Sequence, residues 1–278
     1  MKQSVEISFI IIEYNSLDDV LKCAQAINTK CIDISYEIVV SSNSLYDETR
    51  QVGLIEKYKQ IVWCFNPENK GFAYGMNKGI ASALGEFIII QNPDTIIVND
   101  ALPEAIGLLK EDKSIGLLGA QIINSRGEIQ DTCRSFITPK AIIVRLFHRL
   151  FLKRKSILTK KVNYSKAQTV DWVIGAFMIT SKEAIKKVGL LNDNFFMYVE
   201  DMEWCLRFWE NNLKVVYYPK LIVQYEGDRK STLGKSKILP ITFNKYTYIH
   251  VKNYLIFLKT HKLKKIRSLS KKSNTILD

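Results

Sequence analysis

Cysteine is scarce and unpatterned in this chain. Cys23, Cys31, Cys64, Cys133 and Cys205 are scattered, odd in number and without CxxC spacing, which argues against a disulfide framework and a zinc site and makes a reducing cytoplasm the simplest home. Histidine is scarcer still, at positions 148, 250 and 261. No apolar run approaches the length a membrane-spanning helix needs. The N-terminal stretch MKQSVEISFIII carries Glu6 and too short an apolar run for a signal peptide, so any membrane contact is expected to be peripheral. Internal repeats and low-complexity segments are absent. Acids are outnumbered, with 28 Asp and Glu against 40 Lys and Arg, and the net charge of +12 suits an anionic partner: a phosphorylated ligand, a nucleic acid or an acidic membrane face. At 278 residues and 47% hydrophobic content, most of the chain cannot be disordered. It can bury the core of one large α/β domain, with or without a small appendage.

The organising stretch is Gly85 to Thr95, GEFIIIQNPDT. An apolar strand, Phe87 to Ile90, runs into Gln91, Asn92, Pro93 and Asp94, which places an acid where a buried strand ends. Ligands of open α/β sheets bind outside the carboxyl ends of the strands. A hard cation holding a diphosphate needs oxygen ligands on a stiff support, and Pro93 restricts both itself and Asn92. Asp94 is therefore a candidate metal ligand, although an Asn-Pro-Asp turn alone accounts for the pattern.

Around it, strand and helix signals alternate. Ile7 to Ile12 reads as a strand covered on both faces, ending at Glu13, Tyr14 and Asn15. Ser16 with Asp19 suggests a capping box for the helix that follows. A second strand, Glu37 to Val40, opens into Ser41 to Ser44, a turn whose short polar side chains also suit a nucleoside. After a third strand, Ile61 to Phe65, Gly71, Gly75 and Gly79 fall four apart, for tight helix–sheet packing or for ligand approach. A helix from about Asn99 to Lys110 and a strand from Ile115 to Ala120 follow. The alternation predicts a largely parallel, doubly wound sheet.

Gln121 to Asp131 reads as a hairpin turning at Asn124-Ser125-Arg126-Gly127. Residues 141–155 mix large apolar and clustered basic side chains, as interfacial helices and solvated loop helices both do. Asp171 to Thr180 reads as one strand with a small-residue step at Gly175 and Ala176 that leaves room for a bound group. After a helix near Lys182 to Val188, the spacing of Met202, Cys205, Leu206 and Trp209 predicts a helix with Glu200 and Asp201 in its first turn. Those acids serve helix-end stabilisation or a general base beside an aromatic cleft. Val215 to Tyr218 and Leu221 to Tyr225 supply the last strands. Beyond Gly234 the chain is basic and reads as a surface helix with a frayed tail.

Five stretches in this order, Ile11 to Ser16 (IIEYNS), Asn69 to Ile80 (NKGFAYGMNKGI), Asn92 to Thr95 (NPDT), Asp171 to Ala176 (DWVIGA) and Phe195 to Leu206 (FFMYVEDMEWCL), resemble the family 2 glycosyltransferases of GT-A fold, especially the rhamnosyltransferase-like branch that builds bacterial surface polysaccharides. The resemblance runs from about Ile7 to Tyr225 and more weakly to about Phe257. It implies a Rossmann-like, doubly wound, mostly parallel sheet with a small antiparallel part, as a glycosyltransferase domain over 1–235 followed by a basic helical extension and tail over 236–278. It also implies a UDP-, dTDP- or GDP-sugar donor, with Glu13, Tyr14, Asn15, Ser41, Asn69, Gly71, Asn77, Asn92 and Asp94 on the donor side. Asp94 would hold Mg or Mn on the diphosphate. Trp172, Gly175 and Glu200 would face a saccharide or polyprenyl-linked acceptor, and Asp201 matches the family's base in an inverting transfer.

Two positions depart from the family pattern. Ser41 stands after the second strand where the family has an Asp that reads the base, and Tyr225 near the last strand where it has a His. An active enzyme at the inner face of a membrane is the leading expectation; a catalytically impaired nucleotide-sugar-binding or scaffolding member is the alternative. Nucleic acid is not expected as a partner, since no basic face with aromatic platforms is recognisable.

Overall fold

The computed structural model describes residues 5–31, 34–136, 162–225, 245–270, 273 and 275–277. Isoleucine-rich β1 (Ile7–Glu13) and β4 (Phe87–Gln91) pair in parallel at the centre, with Ile7 opposite Phe87. Outside β1 lie β2 (Tyr36–Ser42) and β3 (Ile61–Phe65), both parallel to it. Beyond β4 the main sheet continues through β10 (Phe177–Ser181), β6 (Ile115–Ile123), β11 (Lys214–Tyr225) and β5 (Thr95–Ile97). Here β10 runs antiparallel to both β4 and β6, and β5 antiparallel to β11. A short β8 (Gln168–Thr169) adds to β11, and β7 (Cys133–Arg134) pairs with β9 (Trp172–Val173) in a separate ribbon.

Because successive strand side chains point to opposite faces, each strand feeds two cores. Ile7, Phe9 and Ile11 pack with α1 (Leu17–Lys30) and α4 (Leu102–Glu111) on one face. Ile10, Ile88 and Ile90 pack on the other with α3 (Phe72–Ser82), α5 (Lys182–Val188), α6 (Glu200–Glu210), α7 (Lys245–Thr260) and α8 (Leu263–Ser270). The solvated α2 (Glu48–Lys57) buries only Leu54. The expected doubly wound sheet and the hairpin are present, with Gly127 at φ +77° and Gln130 N–H donating to Ile122 O at 2.8 Å.

Several local expectations need correction. Ser16 begins α1, but no side-chain capping bond forms; its hydroxyl accepts from Tyr14 N–H at 3.3 Å, while its own N–H donates to Glu13. Ser41 and Ser42 belong to β2, since pairing with Cys64 and Phe65 of β3 carries the strand two residues past Val40. The stretch 171–180 is two strands in different sheets, because the chain crosses at Gly175–Ala176 from β9 to β10. Val215 to Tyr225 is a single strand with a register shift between Tyr218 and Ile222, where Pro219 has no N–H to give.

The described C-terminal residues are packed rather than frayed. Phe257 and Ile266 are fully buried, His261 Nε2 lies 3.2 Å from the buried Glu203 carboxylate, and Leu277 N–H donates to Ala167 O at 2.9 Å. Asp171 accepts from the hydroxyls of Ser270 and Ser273, which pins the end of α8 beneath β9. The segment 141–155 and the boundary expected after residue 235 lie outside the described residues. Among the described residues, no helix is long and apolar enough to cross a membrane.

Candidate active site

The carboxyl ends of β1 and β2 and the loops that follow them meet around one buried acid. Glu13 accepts from Ser16 N–H at 2.9 Å, Ser42 Oγ at 2.6 Å, Ser44 Oγ at 3.0 Å and Tyr46 OH at 3.2 Å. Four donors offset the desolvation of a charge with no exposed surface. Glu13 thus anchors the loops that follow β1 and β2. Beside it, Asn15 is held in a left-handed turn, φ +52°, by its N–H bond to Ser44 Oγ at 2.7 Å, and Tyr14 is left exposed at the rim. Ser41 is buried within β2, its hydroxyl accepting from Asn66 Nδ2 at 2.9 Å.

Asn43 extends the network to the next loop by donating to Gly71 O at 3.1 Å. Asn69 Oδ1 accepts from Gly71 N–H at 3.0 Å. Gly71 has φ +101°, and a Cβ there would lie 1.9 Å from Phe196 O, so its bareness serves contact with the loop before α6. Gly75 and Gly79 serve helix–sheet packing, against Ile12 and Ile10. Asn77 sits a turn further along α3, its amide exchanging two hydrogen bonds with the backbone of Leu191.

The turn after β4 forms the next wall. Asn92 N–H and Thr95 Oγ1 both donate to Ala176 O, at 3.0 and 3.3 Å, leaving Asp94 exposed at the tip. The charge of Asp94 reaches the Cys23 thiol, whose pKa burial already raises. Among the described residues, no three His, Cys, Asp or Glu side chains converge on one point. An exposed carboxylate at a turn fits a hard cation that takes its remaining ligands from phosphate oxygens and water.

Gly175, adjacent to Ala176, connects this turn to α6. Its N–H donates to Asp201 Oδ2 at 3.0 Å, and Met202 N–H donates to Asp201 Oδ1 at 2.8 Å. The loop entering α6 carries two consecutive left-handed residues, Tyr198 at φ +69° and the β-branched Val199 at φ +77°, a conformation that persists only where surroundings enforce it. Asn253 of α7 supplies part of that enforcement, its Nδ2 donating to Met197 O at 2.8 Å and Tyr198 O at 3.3 Å. Glu200 is buried, and its Oε2 has no partner among the described residues. Burial, and then the charge of Asp201, push its pKa up to about 8. Burial also raises Asp201, opposed by the N–H groups of Gly175 and Met202 and by the charges of Arg134 and His250.

Trp172 is buried, with its Nε1–H on Ser135 O at 3.1 Å and the Arg134 guanidinium 5.3 Å from its ring. His250 stacks on Tyr198 with centroids 5.2 Å apart; shielding there lowers its pKa while Asp201 pulls it back. Arg134, His250 and the left-handed pair escaped the sequence reading. Arg134 is a single basic residue in a two-residue strand, and His250 arrives from a helix fifty residues downstream.

A family model described as glycosyl transferase family 2 matches residues 8–189. The low-salt glycan biosynthesis hexosyltransferase Agl10 of Haloferax volcanii is 25% identical over 222 residues, covering 76% of this chain and 64% of that protein. Rhamnosyltransferase WbbL of Escherichia coli is 23% identical over 220 residues, 76% of this chain and 79% of that one. The crystal structure of GalNAc-T7 with UDP, GalNAc and Mn2+ superposes with a TM-score of 0.66 at 13% identity, covering 95% of this chain and 49% of that chain. This chain therefore spans about two thirds of Agl10 and half of GalNAc-T7. Its fold is GT-A, and the chain belongs to glycosyl transferase family 2.

Proposed function

We propose that this chain is an inverting, metal-dependent glycosyltransferase that moves a sugar from a nucleotide-diphosphate sugar to a hydroxyl of a saccharide or lipid-linked saccharide, in surface polysaccharide synthesis. The observation that carries this reading is the Asp201 carboxylate, fixed from behind by two backbone N–H groups beside the Gly175 step. A base so held is aimed before substrate arrives. The acceptor O–H would give its proton to Asp201 as the acceptor oxygen bonds to the anomeric carbon. On the opposite face the bond from that carbon to the diphosphate oxygen breaks, and the diphosphate leaves with the electron pair.

Glu13, Tyr14, Asn15, Ser44 and Asn69 would frame the nucleoside, with Gly71 and Asn92 beside the donor. Asp94 would hold Mg or Mn, which when bound supplies charge neutralisation for the leaving diphosphate. Trp172 and Glu200 would shape the acceptor side. WbbL is a rhamnosyltransferase by name, which makes a nucleotide-activated rhamnose one donor to try. A lipid-linked acceptor would keep the enzyme on the inner face of the cell membrane.

Assays with UDP-, dTDP- and GDP-sugars, Mg2+ or Mn2+ and saccharide or lipid-linked acceptors test this, and thermal shifts with each donor narrow the choice. Ser41 favours a second reading, a catalytically impaired nucleotide-sugar binder, because its buried hydroxyl cannot replace a charged acceptor at the base. Donor-induced stabilisation without turnover of any donor–acceptor pair would establish that instead.

A further inference from the structure

The helix that steadies the loop before Asp201 has a second, exposed face. One side of α7 buries Asn253, Tyr254 and Phe257 against the core. On the other side Tyr248, Val251 and Leu255 are 69%, 55% and 53% exposed. Their spacing puts them in one stripe. Lys245, Lys252 and Lys259 are also exposed, and their helical spacing sets them along one edge of that stripe. No Asp or Glu occurs between Asp228 and Asp278, where thirteen Lys and Arg do.

We propose that this outer face of α7 is the docking surface for an anionic lipid leaflet. An apolar stripe edged by lysines suits the boundary between headgroups and acyl chains, with lysine stems lying on the lipid and ammonium groups among the phosphates. A second copy of the chain is the weaker fit, since an antiparallel two-fold contact through this stripe would bring the like-charged rows of Lys252 and Lys259 together. Docking through α7 keeps the inner face on the Asp201 loop, so the site would open close to the membrane surface. This deepens the reading of a lipid-linked acceptor but is read out by binding alone, independently of transfer.

The experiment is flotation of the full chain with vesicles of phosphatidylcholine, with and without phosphatidylglycerol. The double variant Val251→Asp, Leu255→Asp is compared with Val52→Asp, Ile55→Asp, which puts the same charge on exposed apolar positions of α2. Thermal melts confirm that both are folded. Binding to anionic vesicles is expected to weaken at least tenfold for the α7 variant, with little change for the α2 variant, and to weaken for the native chain as salt rises. Equal binding by all three proteins, equal binding to neutral vesicles, or no binding by the native chain would overturn the proposal. So would a concentration-dependent dimer, without lipid, that the α7 variant abolishes.

Discussion

The Gly175 N–H holds Asp201 Oδ2 at 3.0 Å while the Met202 N–H holds Oδ1 at 2.8 Å. Both carboxylate oxygens thus face a backbone donor. An asparagine at 201 would turn its NH2 toward one of those N–H groups and lose a hydrogen bond, at a cost of about 1–2 kcal/mol. Asp201→Asn should therefore fold with a slightly lower melting temperature, bind donor nearly normally and lose roughly 10²–10⁴-fold in turnover. Near-native kcat at saturating acceptor would remove Asp201 from the role of base.

Next to it, Glu200 predicts a dependence of stability on pH. Its folded pKa of about 8 lies above the value of 4.5 for a free Glu. The native state therefore holds a proton that the unfolded chain releases, and this contribution is complete below about pH 4.5 and lost as pH rises through about 8. Denaturant melts across that window should show native stability falling relative to Glu200→Gln, which stays neutral in the same buried space. A constant difference between the two proteins from pH 5 to 8.5 would show that Glu200 is ionised throughout.

What could be read beforehand follows from the range of the interactions. Ile7 to Ile12 and Phe87 to Ile90 are apolar runs whose burial is local information, so the sheet centre was legible, as was the stripe of Met202, Cys205, Leu206 and Trp209. Gly71 could be flagged but not explained, because its reason is the carbonyl of Phe196, far along the chain. The tail misled in the same way: lysines advertised solvent, whereas Phe257, Ile266 and the pull of Asp171 on Ser270 and Ser273 decide its packing. His250 carries no local pattern at all. Only tertiary structure sets it on Tyr198.

Asp94 stands exposed at the tip of a turn tied to Ala176 by Asn92 and Thr95. The ties to Ala176 come from Asn92 and Thr95, so truncating Asp94 should leave the turn in place. Donor binding is where the loss should appear. Titration calorimetry with Mn2+ should give Asp94→Ala the same weak affinity that the native protein shows in EDTA. If native affinity is equal with EDTA and with Mn2+, Asp94 holds no metal.

Glu13 separates a pocket anchor from a direct ligand. Its carboxylate serves four donors from the turn after β1, from β2 and from the loop after β2, and it has no exposed surface of its own. In Glu13→Gln one oxygen becomes an NH2 that confronts the hydroxyls and N–H groups now donating to it. The hydroxyls that face the NH2 must turn to accept from it, and the bonds to a charged acceptor are lost, at a cost of about 1–3 kcal/mol. Asn15 would then lose its firm tie, since the Ser44 hydroxyl that receives its N–H is itself oriented by Glu13. The expected result is a lower melting temperature together with weaker binding of free nucleotide, nucleotide sugar and nucleoside alike. A direct contact to the donor would behave differently: affinity would fall while stability in the absence of nucleotide stayed native.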